Sequence, residues 1–192
     1  MIYQGKQKIW SDYQKEIPDD HYFYVRSCIR QNLFPASEKT FLDITRNKLG
    51  KDFFETEHHT TCGGIAYHCD TIPQETSMTI IARQFALMHK YGYENYVCSC
   101  ITSFGLYTET LETWHEFPEL EAKIADNLWK TCKLEFAKPK YLAHASDIIY
   151  KFRNLIAAQA KYKLINKKTG QPLKVVEHIG CHYGKMFPSK SV

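Results

Sequence analysis

Short apolar segments alternate with longer amphipathic segments along most of this sequence. The segments rich in aromatic and β-branched residues, which are typical of buried strands, lie at 21–27, 53–57, 95–98, 141–144 and 174–178. The segments with apolar residues at helical spacing lie at 37–49, 74–90, 102–114, 118–136 and 146–163. Because parallel strands need long crossover connections, this alternation predicts an α/β fold, with a mostly parallel sheet and helices on both faces.

The pattern also indicates where the domain begins. Residues 1–20 are polar and end in a turn-forming sequence that contains Pro18, so we expect an N-terminal extension there. The α/β pattern then continues from His21 to the turn sequence that ends at Pro172. A stretch of this length is enough to form one domain with its own core, which predicts a single α/β domain over 21–172.

Charge and composition narrow the classes of function. The net charge is +4, and Lys and Arg are spread along the chain without a long run, so charge gives no indication of nucleic-acid binding. No stretch approaches the roughly eighteen apolar residues of a membrane-spanning helix, and no apolar signal core opens the chain, which predicts a cytoplasmic protein. The glycine-rich motifs of dinucleotide and nucleoside triphosphate sites are absent from the sequence, which argues against nucleotide binding.

The cysteines are the strongest chemical signal in the sequence. The chain has seven, an odd number, and lacks an export signal, so a disulfide framework explains them poorly. Cys28, Cys98, Cys100 and Cys181 each follow a predicted strand or open the next helix. Cys62 lies in the loop between the second predicted strand and the helix after it, and two glycines follow it. Metal ligation or redox chemistry is therefore the leading hypothesis.

The predicted topology brings four of these cysteines together. Parallel strands end at one edge of their sheet, where ligands bind in open α/β folds. We therefore expect Cys28, Cys62, Cys98 and Cys100 to form one site at the carboxyl ends of the strands. Four soft thiolates are a ligand set suited to zinc or to an iron-sulfur cluster.

These cysteines resemble the pattern of the cysteine-rich CCG-domain family. That family includes the B subunit of heterodisulfide reductase and the third subunit of non-classical succinate dehydrogenases and methylmenaquinol:fumarate reductases. The family pattern has a cysteine after the first strand, then a Cys-Cys-Gly, then a Cys-x-x-Cys, usually twice per chain. The similar segments here are Tyr24-Val25-Arg26-Ser27-Cys28, Thr61-Cys62-Gly63-Gly64, Val97-Cys98-Ser99-Cys100 and, for a second copy, His178-Ile179-Gly180-Cys181.

The resemblance implies a function, a cofactor and partners. It implies an oxidoreductase subunit that passes electrons through a cysteine-ligated iron-sulfur cluster of the 4Fe-4S type to a disulfide or a quinone. It also implies flavin- and iron-sulfur-containing partner subunits, with peripheral membrane contact through the complex. Cys181 would be the first ligand of a second set, and residues 173–192 would be the start of an incomplete second repeat.

The chain departs from the family pattern at two positions. Thr61 stands where the family has the first cysteine of its Cys-Cys-Gly, and Cys98-Ser99-Cys100 is one residue shorter than Cys-x-x-Cys. The first copy therefore keeps four cysteines instead of five. The five-cysteine set of the family holds a non-cubane cluster, whereas four thiolates suit a conventional cluster or tetrahedral zinc.

Two other functions remain open at this point. In one, Cys28, Cys62, Cys98 and Cys100 hold zinc in a closed site, and the protein is a structural or interaction module without catalysis of its own. In the other, Cys181 is a nucleophile activated by the neighbouring His182. The side chains of adjacent residues usually point apart, which makes that second hypothesis the weaker one.

The remaining cysteines and nearby histidines have ordinary structural explanations. We expect Cys132 to be a buried, inert thiol that shares an apolar helix face with Trp129 and Phe136. We expect Cys69 to be a loop thiol, and the alternatives for it are a spare ligand or a resolving thiol. The histidines that flank Cys62 are either additional zinc ligands or exposed hydrogen-bonding groups, and they are His58, His59 and His68.

Overall fold

Among the residues that the structure describes, the centre of the fold is a four-stranded sheet in which every pair of neighbouring strands is parallel. A computed structural model describes residues 17–58, 61–159 and 165–173 of the chain. The strands are β1 (Tyr22–Val25), β2 (Phe53–Phe54), β3 (Asn95–Cys98) and β4 (Tyr141–His144), and their order across the sheet is β2-β1-β3-β4. The predicted α/β class and the parallel sheet are confirmed.

Helices make the crossovers between these strands. They are α1 (Cys28–Leu33), α2 (Pro35–Leu42), α3 (Gly64–His68), α4 (Gln74–Lys90), α5 (Ile101–Glu116), α6 (Pro118–Cys132), α7 (Ala145–Lys151) and α8 (Arg153–Ala158). A π-helical segment, Asp43–Lys48, continues directly from α2. Among the described residues, no helix is both long enough and apolar enough to cross a membrane.

Both faces of the sheet are buried. Successive side chains of a strand point to opposite faces, so the strand residues divide between two cores. Phe23, Tyr96 and Leu142 belong to a core that contains residues of α4, α5 and α6. Tyr24 and Val97 point to the opposite face and belong to a second core with residues of α2 and α7. The prediction that helices cover both faces is therefore confirmed.

The lengths of several elements differ from the sequence prediction. The strand predicted over 53–57 keeps only Phe53–Phe54 as an edge strand. The helix predicted over 146–163 is divided at Phe152, which ends α7 and precedes α8. The helix predicted over 37–49 begins two residues earlier, at Pro35, because proline is favoured in the first turn of a helix. The strand predicted over 174–178 lies outside the described residues.

The sequence predicted the wrong last residue for α6 and the wrong residues for part of its buried face. The helix ends at Cys132 because Lys133 adopts a left-handed conformation, with φ +53°. Ile124 and Leu128 are its buried residues, whereas the Trp129 side chain is 54% exposed. Cys132 itself is only partly buried, and it packs against the core.

Candidate functional site

Three of the predicted site cysteines lie at the ends of two neighbouring strands. Cys98 is the last residue of β3, and Cys100 is the N-cap of α5. Cys28 is the first residue of α1, and a short turn connects it to the end of β1 at Val25. Val25 and Cys98 are paired in register, so both cysteine-bearing turns leave the sheet at the same edge.

Cys62 reaches the site from the loop between β2 and α3, and its thiol is held in place from two sides. Ser103, on α5, donates a hydrogen bond from its hydroxyl to the Cys62 Sγ at 3.1 Å. The backbone N–H of Gly64 donates to the same sulfur at 3.3 Å. Cys62 is buried among core residues, and these two donors fix the position of its sulfur.

The two glycines after Cys62 are needed for different reasons. Gly63 has a φ of +71°, a backbone conformation that residues with a side chain rarely adopt. A Cβ atom on Gly64 would lie 3.1 Å from the Cys62 Sγ, closer than an ordinary contact. The loop can therefore turn tightly around the sulfur only because both residues lack a side chain.

A cavity lies between Cys28 and Cys62. Its volume is about 160 Å³, comparable to cavities that hold a small organic molecule, and Thr61 also lines it. Ser103 and Tyr107 supply further lining from α5. Two of the predicted ligands therefore face a common space that is large enough for a small cofactor.

Cys98 is the most deeply buried of the site cysteines. Its side chain is 1% exposed, and burial raises the pKa of the thiol well above its usual value. The charges of Cys100 and Cys62 raise that pKa further. The Cys98 Sγ faces the backbone oxygens of Cys100 and Ala143, each at 3.8 Å. Without a cation nearby, Cys98 is therefore a neutral thiol.

The four cysteines share an edge, but they are not arranged around a single ion. Within 17–58, 61–159 and 165–173, no group of three or more His, Cys, Asp or Glu side chains is placed to hold one metal ion. Cys69 follows α3 and is exposed, as expected for a loop thiol. Cys181 lies outside the described residues.

Among the histidines that flank Cys62, the structure describes the side chain of His58. His58 is exposed; its backbone N–H donates to the Thr56 hydroxyl at 3.1 Å, and its backbone oxygen accepts from Arg83 at 2.9 Å. His59 lies outside the described residues, and so does His182.

A different histidine, His144, lies beside Cys98 in the sheet register. Burial lowers the pKa of His144, which favours its neutral form. Its Nδ1 lies 2.8 Å from the hydroxyl oxygen of Ser146.

A buried carboxylate lies beneath the cysteine-bearing turns, and it was not predicted from the sequence. Glu38, on α2, is 3% exposed and lies within hydrogen-bonding distance of groups from both turns. Burial, together with a hydrogen bond to Glu38, raises the pKa of Tyr24 on β1. The sequence indicates this group of residues around Glu38 only through the two serines at the cysteine-bearing turns, Ser27 and Ser99.

The different burial of two site thiols predicts different rates of alkylation. In the metal-free protein at pH 7, iodoacetamide should label Cys98 at least about tenfold more slowly than the exposed Cys28, because a buried thiol with a raised pKa forms little thiolate. Peptide mass spectrometry over a time course measures both rates in one sample. Equal rates at the two positions would contradict the described burial of Cys98.

Comparison with known proteins gives a distant relationship. The chain is 24% identical over 181 residues to the B subunit of ferredoxin:CoB-CoM heterodisulfide reductase from Methanosarcina acetivorans. The matched region covers 90% of this chain and 55% of the relative, so the chain spans about half the length of that protein. No protein-family model matches the chain.

Proposed function

We propose that this chain is an electron-transfer subunit of a heterodisulfide reductase-like complex, and that Cys28, Cys62, Cys98 and Cys100 hold an iron-sulfur cluster. The observation that carries the proposal is that Cys28, Cys98 and Cys100 follow two neighbouring strand ends, while Cys28 and Cys62 line one cavity. The distant relationship to a heterodisulfide reductase subunit, which covers most of the chain, supports the same function.

The chemistry of the donor set fits such a cluster. Thiolates are the usual ligands of iron-sulfur clusters, and a bound cationic centre would offset the cost of ionising the buried Cys98 thiol. A cluster bound at these cysteines would supply one-electron transfer. The hydrogen bonds from Ser103 and from the Gly64 N–H orient the Cys62 sulfur, and donors to a ligating sulfur also raise a cluster's reduction potential.

The electron donor and the electron acceptor in this proposal are inferred from the family resemblance. Electrons would arrive from flavin- and iron-sulfur-containing partner subunits and would leave to a disulfide or a quinone. In this proposal, residues 1–20 are an extension, residues 21–172 form the cluster domain, and residues 173–192 begin a second repeat with Cys181 as its first ligand.

Metal and sulfide analysis of the anaerobically prepared protein tests the proposal. We expect about four iron and four acid-labile sulfide per chain after reconstitution, with broad visible absorption that bleaches on reduction by dithionite. A colourless protein with one equivalent of zinc and no sulfide would contradict the proposal and would support a structural zinc module instead.

The threonine at the family's additional cysteine position gives a prediction about cluster type. Thr61 lines the cavity beside Cys62, so Thr61→Cys should add a fifth thiolate to the site. We expect the reconstituted variant to keep its iron content and to change its electron paramagnetic resonance spectrum. A spectrum identical to that of the unsubstituted protein would show that residue 61 does not reach the cluster.

A further inference from the structure

The carboxylate of Glu38 joins groups from three separate parts of the fold. Its Oε1 accepts hydrogen bonds from the Ser99 hydroxyl at 2.5 Å and from the Ser27 N–H at 3.2 Å. Its Oε2 accepts a hydrogen bond from the Tyr24 hydroxyl. The Arg30 Nε lies 3.8 Å from Oε1 and supplies the opposite charge.

The two turns that meet at Glu38 both carry predicted ligands. Ser27 immediately precedes Cys28, and Ser99 separates Cys98 from Cys100. The turns are also bonded to each other: the Ser27 N–H donates to the Ser99 hydroxyl oxygen at 2.8 Å, and the Arg30 Nη1 donates to the Ser99 backbone oxygen at 3.3 Å. Moving the Glu38 carboxylate would therefore disturb both cysteine-bearing turns at once.

Stability alone is a poor reason for a charge at this position. Burying a carboxylate removes its hydration, and a buried ion pair seldom regains that loss in full. A neutral glutamine would occupy nearly the same volume; its oxygen would still accept a hydrogen bond from the Ser99 hydroxyl, and its NH2 group could donate to the Tyr24 hydroxyl oxygen. The negative charge therefore calls for an explanation of its own.

We propose that Glu38 is a positioning residue of the cofactor site, which holds the Cys28 turn and the Cys98-Ser99-Cys100 turn together and places a fixed negative charge beneath them. The inference rests on the proposed function for its effect on a cluster. Its effect on the thiols themselves does not depend on any bound metal.

The charge has a definite effect on electron transfer. Reduction adds one electron to the cluster and makes it more negative, so a nearby fixed anion opposes the change and lowers the reduction potential. Glu38→Gln should therefore raise that potential. At a fixed solution potential we expect the ratio of reduced to oxidised cluster to increase by about three- to tenfold, the upper figure corresponding to about 59 mV for a one-electron centre.

Thiol labelling of the metal-free chain tests the positioning role without a cluster. Glu38→Ala removes the shared acceptor, and we expect iodoacetamide to label Cys98 several-fold faster than in the unsubstituted chain. Glu38→Gln should keep the rate within about twofold. The matched control is Glu112→Gln, a buried carboxylate on α5 twelve residues beyond Cys100, which should leave the rate unchanged.

Titration of the reconstituted protein tests the role of the charge. We expect dithionite titration with redox mediators, monitored by visible absorption, to give a higher cluster reduction potential for Glu38→Gln. The reduction potential of Glu112→Gln should be unchanged. Glu38→Ala should lower the iron bound per chain several-fold under the same reconstitution. A Glu38→Gln variant with an unaltered potential would overturn the charge effect.

The outcomes separate this inference from the proposed function. If the unsubstituted protein takes up no iron or sulfide, the proposed function fails, and the labelling experiment still decides whether Glu38 positions the turns. Unchanged Cys98 labelling in Glu38→Ala would overturn the positioning role. If Glu38→Ala accelerates labelling of Cys132 as well, which would indicate general unfolding, Ser99→Ala decides instead, because it removes the hydroxyl that donates to Glu38 and accepts from the Ser27 N–H. Unchanged Cys98 labelling in Ser99→Ala would then overturn the role.

Discussion

Replacing Cys62 with serine is expected to lower the iron bound per chain after reconstitution by at least about fivefold. Serine keeps the size of the side chain but replaces a soft thiolate with a hard, weakly acidic hydroxyl, which is a poor ligand for iron in a cluster. The loop has little freedom to bring in another donor, because Ser103 and the Gly64 N–H both hold the Cys62 sulfur in place. Iron and sulfide assays on the purified variant give the result directly.

The matched control is Cys132→Ser, at the end of α6. Cys132 packs partly buried against the core, so its replacement should lower stability slightly and leave the iron content unchanged. Cys28→Ser should resemble Cys62→Ser because both residues line the cavity. Equal loss of iron in all three variants would show that Cys132 has been assigned the wrong role.

Replacing Trp114 with alanine is expected to cost about 3–5 kcal/mol of unfolding free energy, the usual range for removing a fully buried aromatic side chain. Trp114 is fully buried, and its ring makes edge contacts with Phe85 at 6.2 Å and Phe136 at 5.1 Å between ring centroids. For a chain of this length, that loss corresponds to a decrease in Tm of roughly 6–20 °C. Thermal unfolding followed by circular dichroism measures the decrease.

A second tryptophan provides the control for that prediction. Trp129 is 54% exposed and lies near the Lys133 ammonium, 5.7 Å from the ring centroid. Trp129→Ala should therefore cost no more than about 1 kcal/mol. If the two alanine variants lost similar stability, the described burial of α5 and α6 would be wrong.

The parts of the fold with strong local periodicity could be predicted from the sequence. The strands at 95–98 and 141–144 and the helix at 74–90 have the bounds that their apolar patterns indicate. Helix α1 was missed because six residues are too few to show a helical repeat. The break at Phe152 was also missed, since the apolar spacing continues through it.

Of the candidate site, the sequence could predict only the positions that follow directly from where the strands end. The placement of Cys28, Cys98 and Cys100 at one edge follows from the parallel topology. Their exact separations depend on the conformations of the turns, about which residue types say little. Glu38 was missed because a glutamate on a short helix is normally exposed, and its burial depends on Ser99, a partner 61 residues away.

We expect assembly of this edge to be a late event in folding. Ser27 and Ser99 are 72 residues apart, and their hydrogen bond lies at the end of the pairing between β1 and β3. Closing so long a loop costs chain entropy before its contacts form, which makes such pairings slow. A chain emerging from the ribosome would offer only Cys98 and Cys100 as neighbouring thiols. We therefore expect cofactor insertion to follow sheet formation, and a chain that pairs β1 and β3 slowly to expose its thiols to oxidation in the meantime.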